Sequence, residues 1–366
     1  AGCLAAEIGD GSGMVTRLSS DKVLLRKVWY LAALSYDART GRVTLYQEPV
    51  VTATNGGLGQ AILNPSEDTT ATVESNSSVR PAINDAPLLM GASTLIERCG
   101  RSIFGAHFKE ATSPVDLPEQ ANLYNGKIDR PRLCSKALSK AEIESLARGF
   151  QTCAAELRHH VVGAWDFHAN ITNNIASTYI IDVSTSRLNG HIINMPCRGM
   201  TGFNWTGDEI VYHHKPEEYG AIHFHDDDID DARWDVDFTY TVPDNLKSGI
   251  YAARLRIGGV DSPETEDYVP FVVRPPKGKT TSKLAFILPT NSYMAYSNDN
   301  LATNCVVAEL LAGKVPVMTA SDLYLNEHRE YGLSTYSLHS DGSGVAYSSR
   351  LRPILNMRPK YRHWLS

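Results

Sequence analysis

Short runs in which apolar and polar residues alternate, broken by Gly, Asn, Asp and Ser, occupy the chain from Ala1 to about Leu133. Val28-Trp29-Tyr30-Leu31-Ala32-Ala33 and Arg42-Val43-Thr44-Leu45-Tyr46 flank the turn Tyr36-Asp37-Ala38-Arg39-Thr40-Gly41. Alternation with turn signals at regular intervals predicts antiparallel strands of a sandwich. Ser139-Lys140-Ala141-Glu142 then has the Ser-x-x-Glu form of a capping box, which predicts a helix running to about Phe150.

Residues 161 to 275 return to the strand pattern, with Trp165-Asp166-Phe167, Phe238-Thr239-Tyr240-Thr241-Val242 and Ile250-Tyr251-Ala252-Ala253-Arg254-Leu255. Tyr268-Val269-Pro270-Phe271-Val272-Val273-Arg274 closes this region, and Pro275-Pro276-Lys277-Gly278-Lys279 reads as a linker. Beyond it, the nearly continuous apolar run Leu284-Ala285-Phe286-Ile287-Leu288-Pro289 predicts a buried parallel strand opening an α/β domain. A helical stretch is expected around Leu301 to Ala312, followed by Val315-Pro316-Val317-Met318. The Gly-, Ser- and Tyr-rich segment from Gly332 to Ser349 is too long and polar for a plain connection and is the functional suspect. The expected architecture is therefore multidomain: an all-β sandwich over 1–155, a second β-rich module over 160–276, and the start of an α/β domain over 282–366.

Composition agrees with more than one domain, since 366 residues with 42% hydrophobic content exceed an ordinary single core. A surplus of 41 acidic over 35 basic residues gives a net charge of −6, which argues against nucleic acid or an anionic membrane surface as a partner. No apolar stretch reaches the ~20 residues a membrane helix needs, and no signal peptide is visible at the start. Six scattered cysteines, Cys3, Cys99, Cys134, Cys153, Cys197 and Cys305, form no regular framework and read as the reduced thiols of a cytoplasmic protein. The first residue is not Met and the chain stops abruptly at Ser366, so an excerpt of a longer protein is expected.

Several motifs carry candidate chemistry. His223-Phe224-His225-Asp226-Asp227-Asp228 puts two imidazoles on one face of a strand beside three carboxylates, but no third His or Cys stands at a metal-ligand offset. Both histidines are expected to be structural. His159-His160 and His213-His214 would point to opposite faces of a strand and chelate nothing, and His214-Lys215-Pro216-Glu217 fits a turn. Ser343, in Asp341-Gly342-Ser343-Gly344, lacks the first Gly of a G-x-S-x-G elbow and is a poor hydrolase nucleophile on that criterion. Tyr331, Tyr336, His339, Asp341 and Tyr347 crowd one loop, where metal binding and hydrogen-bonded packing are both open.

Two resemblances sharpen these expectations. The hairpin around Tyr36 to Tyr46 and the string Tyr124-Asn125-Gly126-Lys127-Ile128-Asp129-Arg130-Pro131-Arg132-Leu133 resemble the laminin-G, concanavalin-like family over roughly the first 150 residues. Ala164-Trp165-Asp166-Phe167, Arg198-Gly199-Met200-Thr201-Gly202-Phe203-Asn204-Trp205, Tyr331-Gly332-Leu333-Ser334-Thr335-Tyr336 and Arg352-Pro353-Ile354-Leu355-Asn356-Met357 resemble the large, catalytic subunit of N,N-dimethylformamidase. That resemblance implies a glutamine-amidotransferase-like α/β domain and hydrolysis of a small N-substituted amide, with dimethylformamide giving dimethylamine and formate. It also implies a small second subunit as partner and a mononuclear ferric iron held by one Tyr, one His and one Glu. Tyr336, by its place in Gly-Leu-Ser-Thr-Tyr, corresponds to the tyrosine ligand and is expected to face a pocket at the carboxyl end of the α/β sheet. The family's His-Pro-Glu motif is nowhere in these 366 residues, so the remaining ligands and catalytic groups are expected downstream of Ser366, with no iron bound and no activity here. The alternative from another class is a carbohydrate- or protein-binding β-sandwich protein with a degenerate catalytic domain.

Overall fold

The structure, a computed structural model, describes residues 2–50, 68–83, 86–94, 120–257, 266–280, 282–304, 309–310 and 313–361. It is β-rich, with strands in small sheets and few helices. The chain divides into two compact units, Ala1–Gly91 with Gly126–Phe224, and Ala92–Asn125 with His225–Ser366.

In the first unit, β1 (Cys3–Gly9) and β2 (Val15–Val23) form an antiparallel hairpin. Strands β3 (Tyr30–Asp37), β4 (Arg42–Pro49) and β5 (Ala71–Asn76) form an antiparallel meander, with Leu34 opposite Leu45 and Leu45 opposite Val73. The turn expected between Tyr36 and Gly41 joins β3 to β4. Gly41 is required there, because its φ is +74° and a Cβ would lie 2.4 Å from the Ser77 carbonyl oxygen. Strand β4 is central and buries Val43 and Leu45 against Ile8, Leu18 and Val79. Each such side chain contributes about 1.5–3 kcal/mol when withdrawn from water. Gln47, also buried in β4, has its amide satisfied: Nε2 donates to Thr69 O at 2.9 Å and Oε1 accepts from Ser20 Oγ at 2.8 Å.

The helix predicted after Ser139 is α1 (Lys140–Arg148), and both halves of its capping box are made. It buries Ile143 and Leu146, and Leu146 joins Phe150, Cys153, Leu157, Val161 and Ala164 in a second core. A third core, Trp165, Phe167, Ile180 and Ile222, packs with residues of the sheet whose strands are Cys197–Met200, Ala221–Phe224 and Gly126–Asp129. Asp182 ties this region together. Its carboxylate accepts from the backbone N–H of Ala164, Ser184 and Leu188 at 2.7 to 2.9 Å.

In the second unit, Gly249–Arg256 and Glu266–Val273 pair antiparallel, with Ala252 opposite Pro270. The strand expected at Phe238–Val242 makes no ladder among the described residues. The run at Leu284 also differs from expectation: Leu284, Phe286 and Ile287 are 89%, 79% and 87% exposed and no parallel partner strand is described beside them. An apolar run becomes a strand only where a neighbour accepts its backbone hydrogen bonds, a non-local condition. Helices follow at Thr290–Ala295, Leu301–Asn304 and Ala320–Glu327. Part of the helix expected over 301–312 lies outside the described residues. Cys3, Cys134 and Cys153 are free thiols and Cys197 Sγ lies 3.4 Å from Met200 Sδ, whereas Cys99 and Cys305 lie outside the described residues. No helix among the described residues is long and apolar enough to cross a membrane.

Candidate functional site

The polar run that follows Phe224 meets the Gly332–Ser349 segment inside the second unit. That segment folds back on itself: His339 N–H donates to Ser343 O at 2.8 Å and Val345 N–H donates to Ser337 O at 3.3 Å. Gly342, at φ +88°, makes the turn between them. The return presents His339 and Ser343 to His225, Asp227 and Asp228.

His225 Nδ1 lies 3.0 Å from Asp228 Oδ2, and its Nε2 lies 3.0 Å from Ser343 Oγ. The His225 side chain is only 1% exposed, so the imidazole is shielded from water while Ser343 is partly buried. Ser343 Oγ also donates to Asp341 Oδ1 at 2.6 Å. The His339 ring stacks on His225 with centroids 3.6 Å apart and planes within 7°. His339 Nδ1 lies 2.5 Å from Asp227 Oδ1, while Arg329 Nη2 and the Ser340 N–H reach Asp227 Oδ2 at 3.5 and 3.2 Å.

The two carboxylates are tuned apart. Burial raises the Asp228 pKa and outweighs the opposing His225 hydrogen bond. Burial acts upward on Asp227 too, but the His339 hydrogen bond, the His339 and Arg329 charges and the Ser340 amide outweigh it, so its pKa is lowered.

His225, Asp228 and His339 each bring one ligand atom within 4.8 Å of the others, a spacing open to a cation. The ring geometry argues against it. An imidazole binds a metal through a lone pair in its own plane, and these planes are nearly parallel and up to 3.6 Å apart. An ion about 2.1 Å from both nitrogens would sit well outside each plane. The contacts of His225 with Asp228 and with Ser343, each at 3.0 Å, need no ion between them.

His339 and Asp341 flank the His225–Ser343 contact, whereas Tyr331 and Tyr336 have other partners. Tyr331 Oη bonds Tyr324 Oη at 3.0 Å, which raises the Tyr331 pKa to about 12. Tyr336 is 51% exposed and stacks on Tyr296 with centroids 4.3 Å apart; its hydrogen bond raises the Tyr296 pKa. The Tyr336 N–H donates to Ser334 Oγ, whose hydroxyl donates to Ala295 O at 2.8 Å. Arg352 fixes the backbone before it: Nη1 donates to Tyr331 O at 3.0 Å, and Nη2 donates to Leu333 O at 3.0 Å and Ser297 O at 3.3 Å. Asn298 Nδ2 donates to Pro353 O at 2.7 Å and Asn298 Oδ1 accepts from Leu355 N–H at 2.9 Å. Among the other histidines, His159, His160, His213 and His214 are exposed, and His214 Nδ1 lies 2.9 Å from Glu209.

Ser343 lacks an elbow motif, and the string from His223 to Asp228 shows His225 beside its carboxylates but without His339 or Ser343. The signal was present as the density of polar groups around His339, but Asp227 and His339 stand 112 positions apart. Local spacing holds no information on that pairing.

A family model described as N,N-dimethylformamidase beta subunit-like, C-terminal, matches residues 197–366. The N,N-dimethylformamidase beta subunit of Paracoccus aminophilus is 39% identical over 367 residues, covering 99% of this chain and 44% of that protein. The N,N-dimethylformamidase beta subunit of Alcaligenes sp is 38% identical over 359 residues, covering 97% of this chain and 43% of that protein. The chain thus spans less than half the length of these curated relatives. These similarities correct the resemblance to a large, catalytic subunit: the proteins matched are beta subunits. They also overturn the expected small second subunit as partner, because the similarity is to the beta subunit itself.

Proposed function

We propose that this chain is part of a dimethylformamidase-related amidohydrolase acting on small N-substituted amides, with dimethylformamide cleaved to dimethylamine and formate. The observation that carries the reading is the similarity along 99% of the chain to a protein named for that reaction. In this reading Tyr336 supplies one ligand to a mononuclear ferric iron, which when bound polarises an amide carbonyl or acidifies a water. A phenol suits that role as a hard oxygen donor, and Tyr336 is exposed on a backbone held by Ser334 and Arg352. The fit is partial. No His-Pro-Glu stands in the 366 residues, so this chain's own residues do not make up the ligand set.

The finer architecture belongs to the same proposal: a laminin-G-like sandwich over 1–155, a β-rich module over 160–276 and a glutamine-amidotransferase-like α/β domain from 282. The β1 to β5 strands and α1 support the first of these. The free thiols of Cys3, Cys134 and Cys153 support a cytoplasmic setting.

The test measures iron content and formate release from dimethylformamide in the full-length protein and in Tyr336→Phe. The variant keeps the ring and removes the oxygen donor, so iron and turnover should fall together. Full iron with normal turnover would remove Tyr336 from the ligand set, and no amide hydrolysis by the parent protein would sink the activity.

A further inference from the structure

We propose that Ser343 is an acyl-accepting nucleophile, with His225 as its general base and Asp228 as the group that orients the base. It would take small, unhindered acyl compounds, esters more readily than amides. The inference stands on the second unit's geometry and does not rest on iron or on Tyr336.

Three features carry it. The order of contacts is that of a relay: Asp228 on Nδ1 and Ser343 on Nε2 of one imidazole, each at 3.0 Å. Asp228 therefore favours the tautomer whose proton is on Nδ1, leaving the Nε2 lone pair toward the hydroxyl. The stacked His339 ring and the 1% exposure of His225 hold the imidazole in place and dry. Ser343 itself is only partly buried and lies between Gly342 and Gly344, where added Cβ atoms would meet nothing within 4 Å. The backbone on either side of the hydroxyl is therefore uncrowded.

The developing oxyanion needs a donor, and the backbone after Ser343 is its candidate. Leu338 and Gly344 form a bridge whose backbone bonds run from His339 N–H to Ser343 O and from Val345 N–H to Ser337 O. The Gly344 N–H, next after the nucleophile and outside those two bonds, is the group we assign to the developing oxyanion.

The step balances without an added reagent. Ser343 Oγ bonds to the acyl carbon, its proton passes to His225 Nε2, and the bond to the leaving alcohol or amine breaks as that group takes the proton. Water, deprotonated by the same imidazole, then cleaves the acyl-serine and returns the free hydroxyl. Asp341 competes in the resting state, since the Ser343 hydroxyl donates to it at 2.6 Å. The hydroxyl must rotate from Asp341 to His225 before attack, so Asp341 acts as a brake and not as a part of the relay.

The test treats the full-length protein, with and without prior chelation of metals, with a fluorophosphonate probe, and locates the adduct by peptide mass spectrometry. Ser343 should be labelled at the same rate in both samples. Ser343→Ala should abolish that adduct, and His225→Gln should slow it by about 100-fold or more. Asp228→Asn should slow labelling while leaving circular dichroism unchanged, which separates orientation of the base from loss of fold. Asp341→Asn should label at least as fast as the parent. No adduct on Ser343 in folded protein, or labelling indifferent to Asp228→Asn and His225→Gln, would overturn the proposal. Either result leaves the iron-dependent reading to be judged by its own assay.

Discussion

Asp182 shows how one carboxylate can organise a loop. Burial acts to raise its pKa, but backbone donors from Ala164, Ser184 and Leu188 and the Ser184 hydroxyl outweigh it and the net shift is downward. Asp182→Ala strands those donors in a buried site, which should lower unfolding stability by roughly 2–4 kcal/mol in a urea titration. Gly332 is a second single-residue constraint. Its φ is +83°, and a Cβ would lie 2.6 Å from Ile229 Cγ2 and 2.8 Å from Arg352 Cδ. Gly332→Ala should cost about 2–4 kcal/mol, combining backbone strain with overpacking, and shows as a shifted urea midpoint.

Between elements, the decisive contacts are those of Arg352 and Asn298, which bind the backbone of the Tyr331–Leu333 turn from distant positions. Burial lowers the Arg352 pKa to about 10, so the guanidinium stays charged at neutral pH. Lysine keeps the charge without the planar fork and reaches fewer of the carbonyls. Arg352→Lys should therefore cost roughly 2–4 kcal/mol by leaving buried carbonyls unpaired, and should open the 332–349 segment to limited proteolysis. If cleavage there is unchanged, the guanidinium does not hold the segment. These contacts mark the limit of what the chain's pattern could reveal. Ser139 and Glu142 were legible because a capping box is three residues long, and Thr319 with Asp322 makes the same two bonds at the start of Ala320–Glu327. The β3–β4 hairpin was legible because its turn chemistry and alternation are local. The apolar run at Leu284 was misleading, since hydrophobicity marks a segment's preference and not the presence of a neighbouring strand. Of the candidate site, His225 and Ser343 were visible as residues, but their contact across 118 positions was not.

At the scale of the whole molecule, the carboxylates set the response to acid. Glu142 is held down at about 2 by Lys136 and by the Ser139 amide and hydroxyl, and Asp182, Glu218 and Asp227 are also lowered. A depressed pKa means that the folded state binds protons less readily than the unfolded chain. The stability these groups contribute is therefore complete above their ordinary values near 4 and is lost as the pH falls through their folded values. Asp129 has the opposite sign. Burial raises its pKa, so its ionisation opposes folding at neutral pH and its protonation removes that cost. With more groups lowered than raised, urea midpoints should stay nearly level from pH 7 to about 5 and fall steeply between about 4.5 and 2. Two variants separate the contributions. Glu142→Gln should be less stable than the parent at pH 7, by about 0.5–1 kcal/mol for a weakened cap, with the deficit shrinking toward pH 2. Asp129→Asn should equal or exceed the parent at pH 7 and lose its advantage by about pH 3, because the parent carboxyl is then protonated in both states. A parent curve that stays level down to pH 2, or an Asp129→Asn protein that is weaker at pH 7 than at pH 3 relative to the parent, would show that these buried and capped carboxylates do not govern acid unfolding.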